Sequence, residues 1–158
     1  MTTYLSHKRA GFDYEILETF EAGIALLGTE VKAVRQKLGK LEGGHVVVRP
    51  TSPRLRRAGG GEAYLVGVSI PPYQKANAPK DYDPERPRTL LLSKKEILRL
   101  HSEGEKKGLT IVPIKLYNVG QKLKLEIAIV RGKKKYDKRE AIKLRDTKRD
   151  MERALKRG

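Results

Sequence analysis

The chain has no cysteine, so no disulfide framework, thiol nucleophile or thiolate metal site can be built from it. Histidine is nearly as scarce. His7, His45 and His101 are too scattered to form a recognisable metal-ligand motif, and no metal or other cofactor is expected. Tryptophan is absent and phenylalanine occurs twice. No apolar run approaches the ~18 residues of a membrane span. Met1 to Arg9 lack the apolar stretch of a signal peptide, so the expected compartment is the cytoplasm. Acidic residues are also in deficit. Against 35 Lys and Arg stand 19 Asp and Glu, a net charge of +16 in 158 residues. That charge points to a polyanion: nucleic acid first, an anionic membrane second.

Catalytic signatures are missing as well. There is no Walker-type phosphate loop and no dinucleotide fingerprint. Gly67-Val68-Ser69-Ile70-Pro71 fails as a nucleophile elbow because Pro replaces the final Gly. Asp81-Tyr82-Asp83-Pro84-Glu85 clusters acids without the glycine that a calcium loop needs. A binding protein, not an enzyme, is the expectation.

The positive charge is unevenly spread. Residues 131–158 hold 13 basic and 5 acidic residues, net +8, as much as the whole of the first 130. The chain therefore divides into a loose polar arm (1–11), a body (12–130) and a basic extension (131–158).

Within the body, Phe12 to Phe20 alternates apolar and polar side chains, which predicts a strand with one buried face. Gly23 suggests a bulge or bend, with Ile24 to Leu27 continuing the strand. Thr29 is placed to cap a helix whose Val31, Val34 and Leu38 share one face and which Gly39 would stop. His45–Arg49 and Ala63–Ile70 read as two further strands, joined by a basic loop containing Arg54, Arg56 and Arg57. Residues 71–88 carry five of the eight prolines and read as a long functional or disordered loop. Ser93 and Glu96 form a capping box for a second helix, with His101 on its apolar stripe and Gly108 at its end. Leu109–Tyr117 is a strand whose Pro113 requires an unpaired or bulged edge. Lys122 to Ile129 alternates most clearly of all. No βαβ rhythm appears, so a mainly β fold is expected, an antiparallel sheet closed into a barrel.

A basic barrel suits RNA, which needs cations for phosphates and aromatic or Arg planes for stacking. Lys122 and Lys124 lie on the outward face of the last strand, and the loop arginines and tyrosines add to them. If the tail is helical, Arg145, Arg149, Arg153 and Arg157 recur every four residues as a basic stripe. Its apolar side, Leu144, Met151 and Leu155, is thin, so the tail is expected to be disordered when free and helical on a polyanion. A membrane-surface helix needs a broader apolar face with Trp or Phe, and no membrane partner is expected.

Several ordered motifs resemble a known family. Glu18-Thr19-Phe20-Glu21-Ala22-Gly23-Ile24 and Gly28-Thr29-Glu30-Val31-Lys32 are similar to the start of the SmpB, or SsrA-binding, proteins. Asp83-Pro84 with Arg86 and Arg88, Leu90-Leu91-Leu92, Lys107-Gly108-Leu109-Thr110, and Arg131-Gly132-Lys133-Lys134 before Tyr136-Asp137-Lys138-Arg139 continue the resemblance over roughly residues 8–157. It implies an OB-type β-barrel with about three helices and no enzymatic activity. It further implies binding to the tRNA-like domain of transfer-messenger RNA (tmRNA), and the protein is expected to be a monomer. The tail would enter the decoding centre and messenger channel of stalled ribosomes for trans-translation. Elongation factor Tu and alanyl-tRNA synthetase are implied as indirect partners.

The expected RNA-binding set is Glu21, Leu91, Lys122, Lys124, Lys32 and Arg35, of which the resemblance, carried over residue by residue, gives Glu21, Leu91 and Lys124. Lys124 would contact phosphate, Leu91 would shape the surface, and Glu21 would bond a base, a ribose or a neighbouring cation. The ribosome-facing set is Gly132, Lys133, Lys134, Tyr136, Asp137, Lys138 and Arg139, followed by Arg145, Arg149 and Arg153. Tyr136 would stack on ribosomal RNA. The sequence departs from the family at Gly11 and Phe12, where Arg and His are usual, and at His7, where Asn is usual.

Overall fold

The structure, a computed structural model, describes residues 2–49, 61–74, 76, 80–132, 149, 151 and 153. Along these residues run β1 (Thr3–Ser6), α1 (Ala10–Asp13), β2 (Tyr14–Ile24), α2 (Gly28–Arg35), β3 (His45–Arg49), β4 (Glu62–Val66), β5 (Arg88–Leu91), α3 (Lys94–Gly104), β6 (Leu109–Val119) and β7 (Lys122–Gly132). The strands form one antiparallel sheet in the order β1-β6-β7-β2-β5-β4-β3. Among the described residues no helix is long and apolar enough to cross a membrane.

The sheet is mainly β and antiparallel as expected, but its hydrogen-bonded ladder does not close. The edge strands β1 and β3 are not paired with each other among the described residues. The sheet curls until β3 packs against β6, where Gly44 approaches the Pro113 ring. Pro113 has no N–H to offer a ladder there. The predicted bulge is present: the β6–β7 register shifts between Pro113 and Lys115. The Ile114 carbonyl there accepts from His7 N–H at 2.7 Å.

Three expectations need correction. The N-terminal stretch is not a loose arm: Leu5 is buried in β1, which pairs with β6, and Ala10 is buried in α1. So short a strand shows too little alternation to be read locally. The proline-rich segment ends in a strand, β5, because Leu90 buries against β4 and β2 pairs with it at Gly23 and Ile24. Finally, β2 has its bulge between Ile16 and Glu18, not at Gly23. Gly23 marks a close approach instead. A Cβ there would lie 3.1 Å from the Leu91 Cβ.

The main core lies inside the curl and joins Ala22, Val34, Leu41, Val46, Leu65, Leu90, Leu125 and Ile127. Leu100 of α3 is buried in it, and Ser93 and Glu96 cap that helix reciprocally as the sequence predicts. A smaller cluster of Val112, Ala128 and Val130 lies beneath Tyr14 and Ile114. The far end of the β6–β7 hairpin is thus buried on both faces. Ala128 is core there, not a member of the polar face.

Candidate nucleic-acid interface

The register of β6, β7, β2 and β5 builds the site. Tyr117 pairs with Lys124, Lys124 with Gly23 and Gly23 with Leu91. Cross-strand partners point to the same face, so these four form one row across the sheet. In the adjacent row Lys115 pairs with Glu126, and Glu126 with Glu21. Two carboxylates directly opposite each other repel, and each is compensated separately. Lys115 Nζ lies 3.4 Å from Glu126, and the Tyr117 hydroxyl donates to Glu21. Burial, followed by the Glu21 carboxylate, pushes the Tyr117 phenol up from its ordinary value. Lys115 also sits 5.3 Å above the Tyr117 ring. The partner of Glu21 is therefore a tyrosine, not the arginine or lysine allowed for from sequence.

Beside this face lies a groove of about 350 Å³ between α2 and the start of β7. Its cationic lining is Arg35, Lys122 and Lys124, and Leu91 and Val31 supply apolar surface. Leu91 is 62% exposed, held up by its contact with Gly23. Among the described residues, the side chains of Arg35, Lys122 and Lys124 have no hydrogen-bond or ion-pair partner. Four predicted residues, Arg35, Leu91, Lys122 and Lys124, thus meet at one groove. Glu21 shares the sheet face one row away. Lys32 is exposed on α2 but does not line the groove.

What positions α2 is a buried charge cluster that sequence reading misses. Glu30 and Arg88 are the buried charged residues among those described, at 1% and 0% exposure. Arg88 Nη2 lies 2.6 Å from Glu30 Oε2, and Arg88 also donates to the Val68 carbonyl at 2.6 Å and the Pro84 carbonyl at 2.9 Å. Arg86 pairs with the other Glu30 oxygen, and Tyr82 donates to the Ile70 carbonyl at 2.8 Å. Burial pushes the Glu30 carboxyl up, but hydrogen bonds from Arg86, the Leu27 N–H and Arg88 outweigh it and hold it below its ordinary value. The Leu27 bond, 2.8 Å, also makes Leu27 the helix N-cap in place of the expected Thr29. Residues 80–88 are therefore tied to α2 and are not the free loop that their prolines suggest. Glu30 carries no local sign of this role, because its partners lie more than 50 residues away.

The residues expected to face the ribosome divide differently. Gly132 ends β7, exposed and paired with Tyr14, so the sheet runs two residues past the expected boundary at 130. Arg149, Met151 and Arg153 are helical and exposed. Lys133, Lys134, Tyr136, Asp137, Lys138, Arg139 and Arg145 lie outside the described residues, as does the Arg54–Arg57 part of the basic loop. At the family departures, the Arg9 guanidinium lies 5.0 Å over the Phe12 ring, and His7 meets the Tyr14 ring edge-on at 6.1 Å.

Comparison with known proteins matches this arrangement to a family. The family profile described as SmpB protein matches residues 4–157. The chain is 48% identical over 151 residues to the SsrA-binding protein of Microcystis aeruginosa, covering 96% of this chain and 92% of that one. It is 47% identical over 153 residues to that of Gloeobacter violaceus, covering 97% and 93%. With the SsrA-binding protein of Thermosipho africanus it shares 45% over 159 residues, covering 100% and 99%. Among solved structures it superposes on a chain described under "tmRNA-SmpB: a journey to the center of the bacterial ribosome". The TM-score is 0.63 and the identity 42%, covering 89% of this chain and 95% of that chain.

Proposed function

The chain belongs to the SmpB protein family, and on that premise we propose that it binds the tRNA-like domain of tmRNA and carries it to stalled ribosomes for trans-translation. It is an RNA-binding protein and not an enzyme. The observation that carries the reading is the groove at α2, where Arg35, Lys122 and Lys124 stand beside exposed Leu91 without hydrogen-bond or ion-pair partners among the described residues. Unpaired cations at one groove bind phosphates, and an exposed leucine packs against a ribose or base without selecting a sequence. Glu21, tied to Tyr117 through one carboxylate oxygen, then acts through the other toward a base or ribose hydroxyl, and Lys32 extends the charge along α2.

In the same reading the curled sheet, with β3 lying against β6, serves as an OB-type barrel. The tail, from Gly132 through Lys133, Lys134, Tyr136, Asp137, Lys138 and Arg139 to Arg145, Arg149 and Arg153, enters the decoding centre and messenger channel. The protein works in the cytoplasm as a monomer. Elongation factor Tu and alanyl-tRNA synthetase meet the RNA it holds.

Two measurements test this. Affinity for an isolated tRNA-like domain should exceed that for an unrelated hairpin of equal length; equal affinity would leave only a generic RNA-binding barrel. Tyr136→Ala should keep that affinity while peptide tagging on stalled ribosomes falls, since stacking on a base is worth about 1–3 kcal/mol. Tagging at the parent level would remove the stacking role.

A further inference from the structure

A second groove opens where α2 ends, on the side facing β1. It encloses about 670 Å³ between Thr3–Ser6 and the turn that follows the helix. Lys8, Lys37 and Lys40 line it with a single acid, Glu42. Among the described residues none of these three lysine side chains has a hydrogen-bond or ion-pair partner. Like charges gathered at one groove repel one another unless an anion lies among them.

Lys37 is the informative residue. Its N–H donates to the Val34 carbonyl at 2.8 Å, and the Leu38 N–H reaches back to the Ala33 carbonyl at 3.0 Å. This closure of the helix needs a left-handed residue, and Lys37 sits at φ 60°, the one non-glycine at positive φ among the described residues. Glycine is the ordinary occupant of such a position, because a Cβ is strained there. A cation is also favourable at a helix C-terminus, but Lys32 and Arg35 already supply that charge in the last turn. The turn is held firmly: Gly39, at φ 111°, packs on the Ser69 carbonyl, which accepts from Lys40 N–H at 3.1 Å. The Lys37 side chain is exposed and lines the groove.

We propose that this groove is a second phosphate-binding surface for the same RNA. The strand that meets Lys124 and Arg35 continues over the end of α2 to Lys37, Lys40 and Lys8. The inference rests on the function proposed above. Continuity favours one RNA over two: Arg35 lines the first groove and Lys37, two residues later, lines the second.

The test is the salt dependence of affinity for the isolated tRNA-like domain, measured on the full chain. Lys37→Gly relieves the backbone strain, so its melting temperature should equal or exceed the parent's. Its affinity should nevertheless fall several-fold, and the slope of log affinity against log salt should drop by about one. Combining Lys37→Gly with Lys8→Gln and Lys40→Gln should lower the slope by about two to three. If that triple variant keeps the parent slope while Lys124→Ala lowers it, the second groove is no RNA surface and the first reading stands. If neither changes the slope, both readings fall. If the triple variant binds the tRNA-like domain normally but loses affinity for the small ribosomal subunit, the groove belongs to ribosomal RNA and the inference is wrong. Should the triple variant melt early, Lys37→Gly alone decides.

Discussion

The inner and outer sides of α2 carry the same kinds of charge in opposite environments. Beneath the helix, Glu30 and Arg88 are buried and bonded to each other. On its flank, Arg35 stands with Lys122 and Lys124 at an open groove, without protein partners among the described residues. The inner charges hold the helix and the 80–88 segment in place: Arg88 without Glu30 would be a buried, uncompensated ion, and Glu30 without Arg88 would keep Arg86 as its one ion-pair partner among the described residues. The outer charges cost the fold nothing and remain available for phosphate. Net charge by itself therefore predicts the partner, and burial decides which charges can reach it.

The largest expected effect comes from breaking the inner set. Arg88→Met takes from buried Glu30 its fully buried ion-pair partner and two of its six hydrogen bonds and should cost about 3–5 kcal/mol. That is a fall of roughly 6–20 °C in melting temperature. Adding Glu30→Leu should recover much of the loss, since a buried pair is often replaceable by apolar residues. If Lys124→Met destabilises the protein as much as Arg88→Met, the contrast between the two sides is wrong.

Acid should act on the inner set next. The Glu30 carboxyl is held below its ordinary value of 4.5. A depressed carboxyl contributes stability that is fully present above the unfolded value and is lost as pH falls through the folded one. The parent should therefore lose stability below about pH 4.5, and Glu30→Gln, though less stable throughout, should lose it less steeply. Parallel stability–pH curves for the two proteins would assign the acid loss to other carboxyls.

Lys124→Ala sharpens the outer side. Its stability should stay within about 0.5 kcal/mol of the parent, while the salt slope for RNA affinity falls by about one. An unchanged slope would take Lys124 off the contact surface.

The smallest effect is expected from removing the tail. A chain ending at Gly132 keeps the whole of β7. It should melt and bind the tRNA-like domain like the full protein, with only tagging lost. Ending at Val130 would also remove the pairs Glu15–Arg131 and Tyr14–Gly132 and should melt lower. Loss of tight RNA binding in the Gly132 truncation would make the tail the primary site.

Much of this protein is legible in the chain because the relevant physics is local. Alternation from Lys122 to Ile129 marks a strand, and Ser93 with Glu96 marks a helix start, through contacts only a few residues apart. The excess of Lys and Arg names a polyanionic partner without any fold. The order of motifs from Glu18 to Arg139 is enough to identify the family. What the tertiary structure alone decided is everything that depends on partners distant in sequence. Leu5 and Leu90 belong to strands only because β6 and β4 lie alongside to pair with them. Glu30, which reads as an ordinary first-turn acid, is the buried anchor of α2 because Arg86 and Arg88 return to it from more than 50 residues away. Lys124 and Leu91 become neighbours through Gly23, whose missing side chain lets β5 approach β2. A linear sequence records side-chain chemistry and local period, but burial and cross-strand register arise only when the sheet curls.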